Sequence, residues 1–324
     1  MTESGIGRDK AVVLHGTGGV WHVRTGSGEI YQASLRGRVK HERGEAGKLA
    51  VGDRVAIEQN SKDDNWAISE ILPRKSQLAR RSPGGGPGER VVAANLDQVV
   101  VVFAAAKPEP HLRMLDRFLV IAEANELAVL IVINKIELVD EASARAMFTD
   151  YVTAGYSLHF TSVKQQTGLT QLKEALLHKT SALSGPSGVG KSSLLNAMFT
   201  GLNLRVGEIS ESVNKGRHTT VGALAHHLSD DSYVVDTPGL REVGMWGIDS
   251  GNLANCFPEF RPLVSECRFS DCTHSREPGC AVLDAVDKGA VSRVRYDSYI
   301  LLRDELEALN SRVPKSPKQR PQKY

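Results

Sequence analysis

The chain has few of the features that mark secreted or membrane proteins. Its 324 residues include only four cysteines, which is too few for a scaffold held together by disulfides. No apolar run approaches the roughly 20 residues that span a bilayer, and the longest one, Val99–Ala106, has the length of a strand. The first ten residues are polar and lack the apolar core of a secretory signal. We therefore expect a cytoplasmic protein with no membrane partner.

The chain also lacks a large excess of charge of either sign. It carries 40 Lys and Arg against 38 Asp and Glu, so its net charge of +2 says little about partners. The exception is the carboxyl-terminal segment, residues 312–324, which contains basic residues and prolines but no acidic residue. This composition predicts a disordered basic tail, which either contacts nucleic acid or only aids solubility.

The amino-terminal region contains short apolar runs separated by Gly, Asn and Asp. This spacing predicts an OB-type β-barrel over residues 1–73, a fold that often binds single-stranded RNA, although the sequence leaves RNA binding open. The Gly- and Pro-rich residues 74–92 predict a basic linker without a packed element. Its cations either contact phosphate or are solvated; they are Arg74, Lys75, Arg80 and Arg81.

The rest of the chain changes its pattern once more. Strands alternate with helices over residues 93–247, which predicts an α/β domain whose parallel sheet is covered on both faces. Binding sites in such domains lie at the carboxyl ends of the strands. Residues 248–311 are irregular, then rich in cysteine, then helical over Val291–Leu309, which predicts an α-helical metal-binding domain. No sustained heptad repeat is present, so a monomer is the default expectation.

A phosphate-binding loop is predicted between a short strand and a helix. The segment fits the pattern G-x-x-x-x-G-K-[ST], whose glycines let backbone N–H groups face phosphate oxygens. Lys191 is expected to reach the β- and γ-phosphates of a nucleotide, and Ser192 to bind Mg²⁺. A chance glycine-rich turn is the alternative, which the strand–loop–helix context disfavours. The loop consists of Gly185, Pro186, Ser187, Gly188, Val189, Gly190, Lys191 and Ser192.

Two later segments have the character of nucleotide-dependent switches. Asp236-Thr-Pro-Gly239 follows an apolar strand, so Asp236 is expected to hold Mg²⁺ through water and the Gly239 N–H to contact the γ-phosphate. The polar loop before that strand contains Thr219 and Thr220. One of them is expected to bind Mg²⁺ and close over the γ-phosphate, and spacing does not choose between them.

A base-recognition motif is predicted after another buried strand. The usual form is N-K-x-D, whose carboxylate accepts hydrogen bonds from the N1–H and the 2-amino group of guanine. This chain keeps a carboxylate at Glu137 but adds one methylene, and a chance tetrapeptide is the alternative. Ser162, after the next strand, lies where a second loop would contact the base. The motif consists of Asn134, Lys135, Ile136 and Glu137.

Hydrolysis of a bound nucleotide needs a residue that orients the water attacking the γ-phosphate, and this chain does not have the usual one at its usual position. Ras-like enzymes have a Gln directly after the Asp-x-x-Gly motif, but this chain has Leu240, which cannot orient water. We therefore expect slow intrinsic hydrolysis, or help from another group. His218 in the switch loop is the candidate for positioning water, and a polar surface residue is the alternative.

Three cysteines and a histidine are close together near the carboxyl end. Three thiolates and one imidazole complete a tetrahedral Zn²⁺ shell with no open position, so the spacing predicts one structural zinc ion. Unrelated core cysteines are the alternative. The predicted ligands are Cys267, Cys272, His274 and Cys280.

The order of the motifs is the inverse of the usual one, since the base motif precedes the phosphate loop and the switch segments follow it. This order indicates a circularly permuted domain. Together with the barrel, the GRHTT loop, the DTPG-Leu segment and the Cys-x4-Cys-x-His-x5-Cys set, it resembles the RsgA (YjeQ) family of bacterial GTPases that depend on the small ribosomal subunit. The resemblance covers roughly Ala11–Leu309.

The resemblance implies an OB-fold, a permuted GTPase domain and a carboxyl-terminal zinc domain. It implies late maturation of the small ribosomal subunit, contact with its rRNA, and GTP hydrolysis that the subunit stimulates. It also implies nucleotide binding at Asn134–Glu137 and from Gly185 to Ser193, zinc at the Cys₃His set, and a catalytic part for His218. The chain departs from the family at Glu137, where Asp is common.

Two other functions fit parts of the sequence. A P-loop ATPase or nucleotide kinase with an accessory zinc domain would share the phosphate loop, but the base motif argues against it. A non-enzymatic RNA-binding scaffold, whose shape the nucleotide fixes, is kept open by Leu240. Competition between nucleotides distinguishes the ATPase or kinase from the GTPase. Turnover measured with and without small subunits distinguishes the scaffold from the GTPase.

Overall fold

A computed structural model describes residues 9–37, 49–59, 65–81, 89–205, 223–236 and 248–311. The chain divides into two compact units, Met1–Gly244 and Met245–Tyr324. The first contains every described strand, and the second is helical. No helix in the described ranges combines the length and the apolar character needed to cross a membrane.

The first unit begins with a closed five-stranded barrel, which confirms the predicted OB-type fold. Its strand order is β1-β2-β3-β5-β4, and only the β3–β5 pair is parallel. The alternating apolar residues of the strands meet inside, where Val13, Val23 and Ile68 are fully buried. The strands are β1 (Asp9–Thr17), β2 (Val20–Thr25), β3 (Ile30–Leu35), β4 (Arg54–Gln59) and β5 (Trp66–Ile71).

The segment after the barrel is not an unstructured linker, so that expectation was wrong. β6 (Gln77–Arg81) pairs with β7 (Glu89–Ala94) as an antiparallel two-stranded sheet. The apolar residues that flank the Gly/Pro stretch carry the pairing, since Leu78 and Ala93 are fully buried. The Gly/Pro stretch itself, residues 82–88, lies outside the described residues.

The first cation of that segment has a structural partner. Arg74 donates from Nε to Oδ1 of Asp53 at 2.7 Å and from Nη2 to Oδ2 at 2.9 Å, and Asp53 is fully buried. The guanidinium therefore neutralises a carboxylate of the barrel rather than facing solvent or phosphate. Lys75 is exposed, and the side chains of Arg80 and Arg81 lie outside the described residues.

A six-stranded sheet follows in the order β10-β9-β8-β11-β13-β12. Helices cover both of its faces, because Val100 and Val102 of β8 pack toward the helices around Leu172 and Leu194, whereas Phe103 contacts Phe118 with ring centroids 6.3 Å apart. The strands are β8 (Gln98–Ala104), β9 (Ala128–Asn134), β10 (Ser157–Phe160), β11 (Thr180–Ser184), β12 (Leu224–Ser229) and β13 (Ser232–Asp236).

One feature of this domain differs from the expectation. The sheet is not wholly parallel, since β12 runs antiparallel to β13. Only Asp230 and Asp231 connect these two strands, and so short a connection forms a hairpin rather than a parallel crossover. Two helices, Glu141–Met147 and Thr149–Thr153, are separated by the buried Phe148. The helices are α1 (Leu112–Ala124), α2 (Glu141–Met147), α3 (Thr149–Thr153), α4 (Leu169–Leu176) and α5 (Lys191–Met198).

The second unit packs short helices around an aromatic core. Phe257 and Phe260 stack with ring centroids 5.0 Å apart, and Tyr299 meets them edge to face at 5.5 and 5.2 Å. Arg295 is almost fully buried beside them and forms a two-point ion pair with Glu259, at 2.8 and 3.1 Å. The helices are α6 (Arg261–Val264), α7 (Ala281–Asp287) and α8 (Arg293–Ser311). Helix α8 begins and ends two residues later than the predicted helix Val291–Leu309.

Candidate nucleotide site and metal centre

The predicted nucleotide-binding segments meet at one edge of the sheet. Neighbouring strands pair Ala104 with Asn134, Val101 with Ser184, and Leu183 with Asp236. The carboxyl ends of β8, β9, β11 and β13 are therefore side by side. The structure brings together the base motif after β9, the phosphate loop after β11 and Asp236 at the end of β13, which are far apart in sequence.

Glycines of the phosphate loop are required by its backbone and its neighbours. Gly185 has a φ of 137°, and a Cβ there would lie 2.0 Å from the Val102 carbonyl oxygen. Gly190 has a φ of 95°, and a Cβ there would lie 2.5 Å from Nδ2 of Asn134. Only glycine combines this φ with such close approach. The loop is thereby held against β8 and the base motif.

The lysine of the loop is buried and points back over it. Helix α5 begins at Lys191, whose residue is 6% exposed and whose Nζ donates to the carbonyl oxygens of Gly185 at 3.0 Å and Pro186 at 2.8 Å. A buried ammonium at this point is a preformed cation for phosphate oxygens. Of the remaining loop residues, Val189 and Ser192 are buried, Pro186 and Ser193 are half-buried, and Ser187 and Gly188 are exposed.

The base motif is bonded directly to the phosphate loop. Asn134 donates from Nδ2 to the Val189 carbonyl oxygen at 2.8 Å and accepts at Oδ1 from the Thr161 hydroxyl at 3.1 Å. Lys135, at a φ of 62°, donates from Nζ to the carbonyl oxygens of Gly188, at 2.6 Å, and Lys107. The motif thus holds the phosphate loop in place as well as forming part of the site.

Glu137 has a buried carboxylate oxygen that no described residue hydrogen-bonds. The residue lies in a 3₁₀ turn over Ile136–Leu138, and the Ile136 N–H donates to the Thr161 carbonyl oxygen at 3.3 Å. Oε2 of Glu137 is out of contact with water and has no hydrogen bond among the described residues. A buried acceptor left unpaired is costly, so this oxygen fits a ligand that donates hydrogen bonds.

The loop after β10 is bonded to the base motif through Thr161, the neighbour of Ser162. Ser162 is fully buried, exchanges backbone hydrogen bonds with Thr167, and accepts at Oγ from the Gln165 N–H at 3.0 Å. Its side chain therefore shapes its own loop, and contact with a base stays a prediction. Sequence reasoning missed the role of Thr161 in holding Asn134. Its position at the end of the strand next to β9 was the available signal.

The residues predicted to bind Mg²⁺ or position water are only partly described. Asp236 is buried at the end of β13, and Ser192 is buried at the start of α5. Hydroxyl and carboxylate oxygens are the donors that Mg²⁺ prefers, so this pair fits that ion. The other candidates are outside the described residues, and their roles stay predictions; they are His218, Thr219, Thr220 and Gly239.

The second unit brings the four predicted metal ligands together. Their donor atoms all lie within 4.8 Å of one another. Nδ1 of His274 is 3.5 Å from Sγ of Cys267 and 3.4 Å from Sγ of Cys280, and these two sulfurs are 4.0 Å apart. Bonds of about 2.3 Å to sulfur and about 2.0 Å to nitrogen place a nitrogen and a sulfur about 3.5 Å apart, and two sulfurs about 3.8 Å apart, in a tetrahedral shell. The arrangement of Cys267, Cys272, His274 and Cys280 therefore fits a tetrahedral ion.

Burial shifts the pKa of three of the four predicted ligands. Burial, together with the neighbouring cysteines, raises the pKa of Cys272 to about 12. Burial likewise raises the pKa of Cys280 and lowers that of His274. Without an ion, Cys272 and Cys280 therefore keep their protons and His274 is neutral, and an ion bound at these residues would displace the thiol protons. Cys256 is buried outside this set.

Comparisons with known proteins identify similar chains over most of this chain's length. The family model described as RsgA GTPase matches residues 71–246. A protein of Gemmatimonas aurantiaca named small ribosomal subunit biogenesis GTPase RsgA is 60% identical, over 94% of this chain and 99% of that protein. The crystal structure of YjeQ from Thermotoga maritima is similar with a TM-score of 0.76 and 34% identity, over 93% of this chain and 99% of that one. YloQ, described as a circularly permuted GTPase, has a TM-score of 0.73 and 28% identity, over 98% of this chain and 100% of that one.

Proposed function

Because this chain belongs to the RsgA GTPase family, we propose that it hydrolyses GTP to GDP and phosphate during maturation of the small ribosomal subunit. One observation carries the proposal: the phosphate loop, the base motif and Asp236 meet at one sheet edge although their order along the chain is permuted. The named relatives supply the ribosomal context.

We propose that guanine binds at Glu137. The unpaired Oε2 of Glu137 would accept from the base, whose N1–H and 2-amino group are adjacent donors. Adenine has no such pair of donors, so it would leave the carboxylate unsatisfied, and a site of this kind discriminates strongly. The hydrogen bonds of Asn134 to Val189 and Thr161 keep the motif in register with the phosphates.

Hydrolysis is attack of water on the γ-phosphate, and the chain stabilises the charge that develops there. On nucleotide binding, Lys191 would exchange its bonds to the loop carbonyls for phosphate oxygens. Ser192 and Asp236 would hold Mg²⁺, which neutralises phosphate charge when bound. Thr219 or Thr220 would complete that site, the Gly239 N–H would contact the γ-phosphate, and His218 would orient water.

We propose that the Cys₃His cluster binds one structural zinc ion. The donor set is closed at four ligands, and its spacing fits tetrahedral coordination. Three soft thiolates select zinc over magnesium or calcium. We further propose that the barrel and the zinc domain supply contacts to rRNA, as the family's small-subunit role requires.

Equilibrium binding tests the guanine proposal against the ATPase or kinase alternative. A fluorescent GDP analogue is bound to the full chain with Mg²⁺ and displaced by unlabelled GDP or ADP. GDP should displace it at least about 100-fold more effectively, because ADP leaves the Glu137 carboxylate unpaired. Equal displacement by ADP would favour the alternative. GDP binding without GTP turnover, even in the presence of small subunits, would favour the scaffold.

A further inference from the structure

The loop that carries His274 is organised by one carboxylate. Glu277 accepts at Oε1 from the Thr273 N–H at 2.9 Å and from the Thr273 hydroxyl. At Oε2 it accepts from the N–H groups of Ser275 and Arg276, both at 3.0 Å. Each oxygen of this half-buried side chain therefore accepts two hydrogen bonds. All four donors belong to the segment between the predicted ligands Cys272 and Cys280.

These bonds bracket the ligand on both sides. Thr273 and Ser275 are the neighbours of His274, and their N–H groups bind the two oxygens of the same carboxylate. His274 itself has a φ of 55°, a left-handed conformation that residues other than glycine rarely adopt without support. The bonds to Glu277 hold the chain in that conformation, which directs Nδ1 toward the sulfurs of Cys267 and Cys280.

Helix α8 supports the same segment from its other side. Tyr296 donates from its hydroxyl to the His274 carbonyl oxygen at 3.0 Å, and Tyr299 donates to the Thr273 carbonyl oxygen at 2.9 Å. Arg303 donates to the Ser275 hydroxyl at 3.0 Å. Glu277 thus satisfies three N–H groups of the loop and α8 satisfies two of its carbonyls, so the loop keeps a defined shape without regular secondary structure.

We propose that Glu277 is a positioning residue of the metal centre, which fixes the backbone of His274 so that the Cys₃His donor set is arranged before the ion binds. The inference rests on the proposal that the cluster binds zinc. Partners of this kind, one step removed from the metal, commonly account for 10- to 100-fold in metal affinity.

The test compares two Glu-to-Gln variants of the full chain. Glu277→Gln keeps the shape of the side chain but replaces one acceptor oxygen with an NH₂ group, which faces two N–H donors. Glu266→Gln removes the same charge next to the ligand Cys267, from an exposed side chain, and is the matched control. Zinc affinity is measured by competition with a chromogenic chelator. The visible spectrum of Co²⁺ bound in place of zinc reports the geometry of the ligands.

We expect Glu277→Gln to bind zinc about 10- to 100-fold more weakly and to show an altered Co²⁺ spectrum, while Glu266→Gln matches the wild type in both. Wild-type affinity and spectrum in Glu277→Gln would overturn the positioning role. A wild-type chain that binds neither ion would instead overturn the zinc proposal.

A second variant covers the case in which Glu277→Gln does not fold even with saturating metal. Thr273→Val removes the hydroxyl bonds to Glu277 and to the Ser275 hydroxyl but keeps the backbone bond, and Thr273→Ser retains the hydroxyl. We expect a loss of zinc affinity of a few-fold in the Val variant and recovery in the Ser variant. Equal affinities of these two variants would contradict the proposal.

Discussion

Two buried carboxylates of the first unit differ at the level of their individual hydrogen bonds. Asp53 accepts two bonds from Arg74 and one from the Ala50 N–H at 2.8 Å. Glu137 has an oxygen that is equally hidden from water but has no partner among the described residues. Because an unsatisfied buried acceptor is costly, the first pattern indicates a structural role and the second a binding role.

The role of Glu137 predicts a change of base preference. Glu137→Gln should weaken GDP binding about 10- to 100-fold, since hydrogen bonds to charged groups contribute about 1.5–3 kcal/mol. The same variant should gain affinity for xanthosine diphosphate, whose 2-oxo group accepts from the new amide. Titration with both nucleotides measures the change, and Glu137→Asp, which keeps a carboxylate, is the control. GDP affinity of the Gln variant equal to that of the wild type would exclude Glu137 from base recognition.

The role of Asp53 predicts a loss of stability. Arg74→Met should lower the free energy of unfolding by about 3 kcal/mol or more, because it leaves a buried carboxylate uncompensated. Urea denaturation measures this value. Arg145→Met is the control, since Arg145 pairs with Glu141 on the surface with both side chains more than half exposed. It should change stability by no more than about 0.5 kcal/mol. A similar loss of unfolding free energy in both variants would show that Arg74 is not needed to compensate the buried charge of Asp53.

At the scale of elements, short apolar runs were sufficient to predict the barrel and the central strands of the sheet. The barrel was predicted from apolar runs separated by turn residues, and β8 and β9 from continuous apolar runs of strand length. β6 and β7 were missed because the Gly/Pro stretch between them dominated the segment. The antiparallel β12 was missed because its sequence, LAHHLS, is half-exposed at a sheet edge and has weak alternation. Pairing with a neighbouring strand, which no local pattern encodes, decides such cases.

The phosphate loop allows a test of glycine that separates backbone strain from steric clash. Gly185 and Gly188 both have positive φ, at 137° and 77°. A Cβ at Gly185 would meet the Val102 carbonyl at 2.0 Å, whereas one at Gly188 would meet only Pro108 Cδ at 3.9 Å. Gly188→Ala should cost about 1–2 kcal/mol from strain, and Gly185→Ala at least about 1 kcal/mol more from overpacking. Chemical denaturation of both variants measures the difference, and equal losses would contradict the close packing of this loop on β8.

At the scale of the whole molecule, the candidate sites were more predictable than the contacts that support them. The phosphate loop, the base motif and the Cys₃His set were identified because each needs fixed residue types at short spacing. Their supports were not, because Thr161 and Glu277 act through long-range or local polar bonds that many sequences could make. The ligand spacing shows which residues meet, but only the fold shows what holds them.

Removal of the metal should affect the two units differently. The second unit contains the Cys₃His set, and α8 is bonded to the loop of His274 through Tyr296 and Tyr299. A strong chelator should therefore reduce helical ellipticity and open residues 248–311 to protease, because structural zinc binding contributes directly to folding. GDP affinity should change less than about two-fold, since the described nucleotide-site residues all lie in the first unit. Protease resistance of residues 248–311 after metal removal would contradict a structural zinc ion.

The most direct test of the central claim is phosphate release from GTP and from ATP, each with and without purified small ribosomal subunits. We predict that the chain hydrolyses GTP but not ATP. The rate of GTP hydrolysis should be slow without subunits, because Leu240 cannot orient the attacking water, and should rise by orders of magnitude when subunits are added. Equal rates with ATP, or a GTP rate that does not respond to subunits, would contradict the assignment of this chain as a GTPase of small-subunit maturation.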